Sequence, residues 1–274
     1  MSDTILRYKY VPLDDSFKKS PDYKDGSLCI IKDGTIKFTH PKDFNDPFDC
    51  YPDIDGKAIS KAYGQDKAFF KELGRRRNLS PAQRIQEKPK QLKNIEKAQN
   101  INELLNNEVG ICSLSRNPLN LLMWAHYASS HTGFVVEFSV FNEHLSLNDA
   151  INCSMTCLVP FPVTYKKEKP IITSRDLFYE YFLIKGEDWE YEQEERVIDC
   201  DRKAGIHPYD RKRILKSVIA GMRMSDDDFA VLKNTVDQVN KEFGINVTVH
   251  RAEPLKSKFA LFVPDRDDLN IHNN

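Results

Sequence analysis

The chain has no run of 18 apolar residues, so a membrane-spanning helix and a membrane partner are not expected. Its first residues, MSDTILRYKY, lack the basic-then-apolar layout of a secretory signal. Metal-ligand spacing is missing as well: there is no HExxH and no pair of histidines at i,i+4. The six cysteines, Cys29, Cys50, Cys112, Cys153, Cys157 and Cys200, are scattered, and Cys153 and Cys157 have no His or Cys partners at zinc spacing. These absences point to a cytoplasmic protein with reduced, buried thiols and no bound metal. A charge excess is absent too: 40 Lys and Arg face 41 Asp and Glu, a net of −1, which argues against a globally basic nucleic-acid binder. There is no internal repeat and no linker-like stretch.

What the chain does have is 274 residues, 40% hydrophobic and 11% aromatic, enough to bury a sizeable core. Strand patterns at both ends with helices between them predict one α+β domain over 1–264, with mixed or antiparallel sheets and a helical layer at 56–108. A polar, frayed tail is expected at 265–274.

The organising stretch is Ile111–Phe138, read as strand, helix, strand. Asn117-Pro118 marks the helix start. The next turns are apolar nearly all round, the mark of a buried helix. His131-Thr132-Gly133 ends it, and Phe134–Phe138 alternates as a strand. His126 is the one polar side chain in this block. Either it is a hydrogen-bonded core histidine, or the helix delivers His126, Tyr127 and the Ser129-Ser130 end to a cleft.

Elsewhere, Ile5–Tyr10 is a candidate strand with Arg7 and Lys9 on one face and Leu6, Tyr8 and Tyr10 on the other. A solvated role is expected for its basic residues. Leu28–Phe38 reads as a hairpin turning at Asp33-Gly34. His40–Cys50 is a loop, with Phe44 and Phe48 as pins; it is either structural punctuation or a ligand-facing lip that carries Asn45. Gly56–Glu108 carries 12 Lys and Arg against 6 Asp and Glu, a net of +6, in helices broken near Leu79–Pro81 and at Pro89. That is either a solvated layer or a basic surface for an anionic partner. Phe141–Ile151 looks helical. The prolines of Cys157–Tyr165 place it at a sheet edge. Ser174–Lys185 fits an amphipathic helix capped by Ser174. Glu187–Glu195 holds six carboxylates, with Arg196 next, and period-2 geometry puts Glu190, Glu192, Glu194 and Arg196 on one face. An ion-pair network or a carboxylate poised for chemistry follows. Ile214–Gly221, Ile245–His250 and Phe259–Val263 read as strands. Asp226–Phe243 reads as a helix capped by Ser225.

Several of these residues together resemble a bacterial family known only as a domain of unknown function. They are Tyr8-Lys9-Tyr10, Phe44-Asn45-Asp46-Pro47-Phe48-Asp49, Cys112-x-Leu114-Ser115, Trp124-x-His126-Tyr127-Ala128 with His131-x-Gly133, and Trp189-Glu190-Tyr191-Glu192-x-Glu194-x-Arg196. The resemblance spans roughly Arg7 to Gly221. It implies an association with mobile elements and abortive infection, and so with phage defence. A more distant resemblance is to ADP-ribosyltransferase folds. These present a basic residue on the first strand, then a Ser- or Tyr-bearing strand and helix, then a late Glu-x-Glu. Here that order gives Arg7 or Lys9, Ser113-x-Ser115 with Tyr127, and Glu192-x-Glu194.

The resemblance implies NAD as co-substrate. Arg7, Lys9, Ser113, Ser115, Asn45, Trp124 and Arg196 would bind it, and Glu194, Glu192, Tyr127 and His126 would act on it. The expected function is an NAD-using ADP-ribosyltransferase-like or NAD-glycohydrolase effector. The alternative is a non-catalytic module that binds nucleic acid or protein through Arg75, Arg76 and Arg77. A hydrolase or nuclease using His126 with Asp46, Asp49 and Glu192, or a Cys112–His126 nucleophile, is the weaker reading.

Overall fold

The computed structural model describes residues 4–15, 26–97, 107, 109–141, 158–173 and 180–271. The fold is α+β. In chain order the first strands are β1 (Thr4–Val11), β2 (Thr35–Phe38), β3 (Asp53–Ile54), β4 (Gly110–Ser115) and β5 (Phe134–Phe141). Then come β6 (Phe161–Pro162), β7 (Thr164–Lys166), β8 (Ile171–Ile172), β9 (Ile184–Gly186) and β10 (Glu194–Asp199). The last are β11 (Gly205–Pro208), β12 (Leu215–Ala220), β13 (Thr248–Arg251), β14 (Glu253–Pro254) and β15 (Leu261–Phe262). The chain divides into two compact units, one of Met1–His40, Val109–Val163 and Asp188–Asn274, the other of Pro41–Glu108 and Thr164–Glu187.

The first unit is built on a seven-stranded sheet in the order β13-β12-β5-β1-β4-β10-β6. Its pairs are antiparallel except β12 with β13. The central β5 buries both faces, as its run of Phe and Val requires. The proline-bearing β6 forms one edge, where a missing N–H costs least. One face packs under the Asp226–Phe243 helix through Leu232, Val236 and Val239, together with Ile30 and Ile31. That helix starts at Ser225, whose hydroxyl accepts from Asp228 N, and ends at Gly244 in the left-handed region. The other face packs against the Leu121–Tyr127 helix and the C-terminal segment through Trp124, Leu119, Leu261, Val263 and Leu269.

In the second unit β3 pairs with β8 and β7 with β9. The Pro81–Glu96 helix runs against the Gly56–Gln65 helix: Ser60 Oγ donates to Leu92 O, and Lys88 Nζ to Gly64 O. The Lys67–Arg76 helix is the third of the set.

Several expectations are corrected. Leu28–Phe38 is not a hairpin: Cys29–Lys32 is a helical turn with Cys29, Ile30 and Ile31 all buried, a pattern that does not alternate. Gly34, at φ +65°, leads instead into β2, which pairs with β11. Pro89 does not break its helix. The capping box of Ser80 and Gln83 and the contacts to the Gly56–Gln65 helix hold the turns around it. Phe48 is exposed and pins nothing. Glu180–Leu183 is a single 3-10 turn leading into β9 rather than the end of a long helix, with Tyr181 and Phe182 buried side by side. Residues 265–271 are not frayed, because Asp267–Asn270 is a helical turn that buries Leu269. The proposed 141–151 helix beyond Phe141, the Ser174 cap, Cys153 and Cys157 lie outside the described residues. Among the described residues no helix is long and apolar enough to cross a membrane.

Candidate functional site

The helix at the heart of the sequence starts at Leu121, three residues later than Pro118 suggests. Asn120 Oδ1 accepts from Leu122 N and Met123 N at 2.9 and 3.1 Å, so Asn120 is the cap. Pro118 O is already used by Trp124 Nε1 at 2.9 Å. The helix is buried along one stripe only, Met123 and Trp124, while Leu122, Ala125 and His126 are exposed. His126 is therefore not a core histidine.

Packing accounts for most of the Trp-x-His-Tyr-Ala…His-x-Gly pattern. Trp124 is fully buried, edge-on to Tyr10 and stacked with His131. Ser129, Ser130 and His131 all lie at positive φ, turning the chain from helix to β5. A Cβ on Gly133 would sit 2.3 Å from Val11 O, so only glycine fits there. His126 and Tyr127 are the two residues of the pattern that this packing does not explain.

Tyr127 OH donates to Glu192 Oε1 at 2.5 Å, across 65 residues of chain. The Glu187–Glu192 stretch forms 3-10 turns before β10. It buries Glu192 and leaves Glu190 exposed, so Glu190 does not share the face with Glu192 that a strand would give it. Around this contact the rings form a chain. Centroids lie 6.2 Å apart for His126–Tyr127, 6.3 Å for His126–Tyr191 and 6.1 Å for Trp189–Tyr191. A buried carboxylate bonded to Tyr127 thus stands at one end of a chain of four aromatic rings, one of them the exposed imidazole of His126.

The remaining candidates fall on two sides of the sheet. Opposed residues of an antiparallel pair share a face. Tyr8 opposes Ser115, Ser115 opposes Glu194 and Ser113 opposes Arg196. Ser113, Ser115, Glu194 and Arg196 therefore share the Tyr8 face, the one covered by Trp124. Arg7 opposes Phe138, and Glu195 opposes Leu114, on the other face. There Arg7 grips Glu195, Nε to Oε2 at 2.5 Å and Nη2 to Oε1 at 2.7 Å, and Lys9 Nζ donates to Ser113 O at 2.9 Å. Arg7 is thus a paired residue, not a solvated one.

On the Tyr8 face Arg196 is fully buried and bonds both carboxylate oxygens of Glu194 at 2.9 Å. The pair neutralises itself, as a buried charge requires. Ser115 Oγ donates to Glu192 O at 2.7 Å, so its part is to hold the Glu192 backbone. Asn45, Asp46 and Asp49 belong to the second unit: Asn45 is exposed, Asp46 Oδ1 accepts from Phe48 N, and Asp49 faces Lys185 at 3.6 Å. Burial pushes the Cys112 thiol up, and its strand position turns it toward the apolar face, away from His126. Among the described residues no group of three or more His, Cys, Asp or Glu is placed to hold a metal.

Sequence reasoning missed two participants. Tyr191 enters the sequence reading only as part of the family motif, although it lies beside His126. Asn120 was not singled out; an Asn two residues after a Pro and just before an apolar run is a cap signal that the Asn117-Pro118 pair masks.

Residues 123–197 match a family described as a protein of unknown function (DUF2971). The matched stretch runs from the Trp124 helix through Glu192 and Arg196. No curated protein and no solved structure matches the chain.

Proposed function

We propose that this chain is an NAD-using enzyme, an ADP-ribosyltransferase-like transferase or NAD glycohydrolase, acting as an effector in a bacterial defence or toxin system. The carrying observation is the Tyr127–Glu192 hydrogen bond, which joins the two stretches of most distinctive sequence beside an array of rings. In this reading the nicotinamide ring of NAD lies against Tyr191 and His126. The bond from ribose C1′ to the nicotinamide nitrogen breaks, and the electron pair leaves with neutral nicotinamide. The Glu192 carboxylate stabilises the positive charge left on the ribose, and Tyr127 orients that carboxylate. Water or an acceptor nucleophile then bonds to C1′ and releases a proton to solvent. Glu194 holds Arg196 rather than substrate, and Arg7 and Lys9 brace the opposite face. The acidic partner of the reaction is thus Glu192, not Glu194. The defence role follows from the family resemblance.

Purified protein incubated with NAD should release nicotinamide, with or without cell extract as acceptor. Glu192→Gln should lower the rate about 100- to 1000-fold, and Tyr127→Phe by less. Turnover that survives Glu192→Gln would remove Glu192 from the chemistry.

A second reading rests on the last turn of the Lys67–Arg76 helix. Arg75, Arg76 and Arg77 are exposed there, and Glu72 is shared between Arg75 and Arg76 at 3.2 Å each. In that reading the helices bind an anionic nucleic acid or protein. Affinity should fall steeply with salt and vanish when the three arginines become glutamates. Binding that ignores both sinks it.

A further inference from the structure

Past the ends of β4 and β10 the pairing does not stop; it continues through irregular rungs. Arg116 N donates to Gln193 O at 3.1 Å, Ser115 Oγ to Glu192 O at 2.7 Å and Asn120 Nδ2 to Tyr191 O at 3.0 Å. Three successive carbonyls, from Tyr191 to Gln193, are therefore bonded to the Ser115–Asn120 segment. Gln193 at φ +45° lets the chain swing from the 3-10 turns into β10. The outermost rung differs from the others, because Asn120 is also the cap of the Leu121–Tyr127 helix. Its carbonyl oxygen holds the helix while its amide nitrogen holds Tyr191.

We propose that Asn120 is the positioning residue of the site. Its amide fixes the helix bearing His126 and Tyr127 against the segment bearing Tyr191 and Glu192. The inference rests on the reading of Glu192 as the reacting carboxylate. The helix is attached to the acidic segment at both ends, by Asn120 at its start and by Tyr127 at its finish. Seven positions apart in sequence, these points lie roughly 10 Å apart along the helix. Buried Met123 and Trp124 pin the helix to the sheet, so what the Asn120 rung adds is a second tie that fixes the Tyr191–Glu192 segment against it. Misplacing a reacting group by about 1 Å costs on the order of 100-fold in rate.

Asn120→Asp separates the two roles. A carboxylate caps a helix as well as an amide does, but it has no N–H to offer Tyr191 O. Asn120→Ser also keeps a capping oxygen and is too short to reach, without adding charge. The chain has two tryptophans. Trp124 is fully buried and Trp189 half-buried, so acrylamide quenching of fluorescence reports chiefly Trp189, two residues from the rung.

In both variants the thermal midpoint should stay close to that of the unmodified protein. The quenching constant should rise at least twofold, and kcat for nicotinamide release should fall about 10- to 100-fold with KM within threefold. Unchanged quenching in both variants overturns the proposal, as does a kcat loss in Asn120→Asp that Asn120→Ser does not share. If the unmodified protein releases no nicotinamide, the reading of Glu192 fails. The quenching result then still decides whether Asn120 fixes the segment.

Discussion

At the scale of single residues, His126 and His131, five positions apart, show how one residue type takes opposite roles. His126 is exposed beside Tyr127 and Tyr191, whereas the ring of His131 stacks on Trp124 and its Nδ1 is buried without a hydrogen-bond partner. Burial, and then the nearby Arg223, hold the His131 pKa below the usual histidine value in the folded protein. His250 shifts the same way, first by burial and then by Arg266. A depressed histidine pKa means that between the folded and unfolded values the unfolded chain binds more protons. Stability is therefore lost as pH falls through the ordinary histidine range. The thermal midpoint should drop from pH 7.5 to 5.5, and His131→Asn, which tolerates positive φ, should flatten that drop. An equal slope in the variant would show that His131 does not titrate on unfolding. Sequence alone could not assign these roles, because an apolar neighbourhood in sequence does not say which stripe of a short helix faces inward.

At the scale of elements, the turn from the Trp124 helix into β5 is the part most tightly determined by close packing. Gly221 N donates to Gly133 O, and Arg223 N to His131 O. A Cβ on Gly221 would sit 2.1 Å from His131 O, which backbone cannot yield cheaply. Gly221→Ala should destabilise the protein by about 1–3 kcal/mol in a denaturant titration, because overpacking against backbone has no soft side chain to absorb it. A cost below about 0.5 kcal/mol would mean that the corner is loose.

The elements legible in the sequence are those whose pattern is local: β4, β5, β12 and the Ser225-capped helix. Those misread depend on distant partners. The Cys29–Lys32 turn is helical because all three apolar residues find core, and Asp33-Gly34 serves to leave it rather than to fold a hairpin. The C-terminal turn is ordered because Arg266 reaches Glu137 at 2.7 Å, 129 residues away.

At the scale of the whole molecule, the seven-stranded sheet decides which candidates meet. Alternation correctly separated Arg7 and Lys9 from Tyr8 and Tyr10, and that same alternation sends the two basic residues to the face away from Ser113, Ser115 and Glu194. The sequence order of a basic strand, a hydroxyl-bearing strand and an acidic strand is real, but order along a chain carries no face until strand register is known. What did come together is Tyr127 with Glu192, from stretches whose aromatic and acidic composition marked them out. The measurement that bears most directly on this account is the crystal structure of the protein with carba-NAD, in which a carbon replaces the ribose ring oxygen and the nicotinamide cannot leave. The nicotinamide ring should lie against Tyr191 and His126, with C1′ roughly 3–4 Å from the Glu192 carboxylate. Analogue bound away from Glu192, or no binding at millimolar concentration, would contradict it.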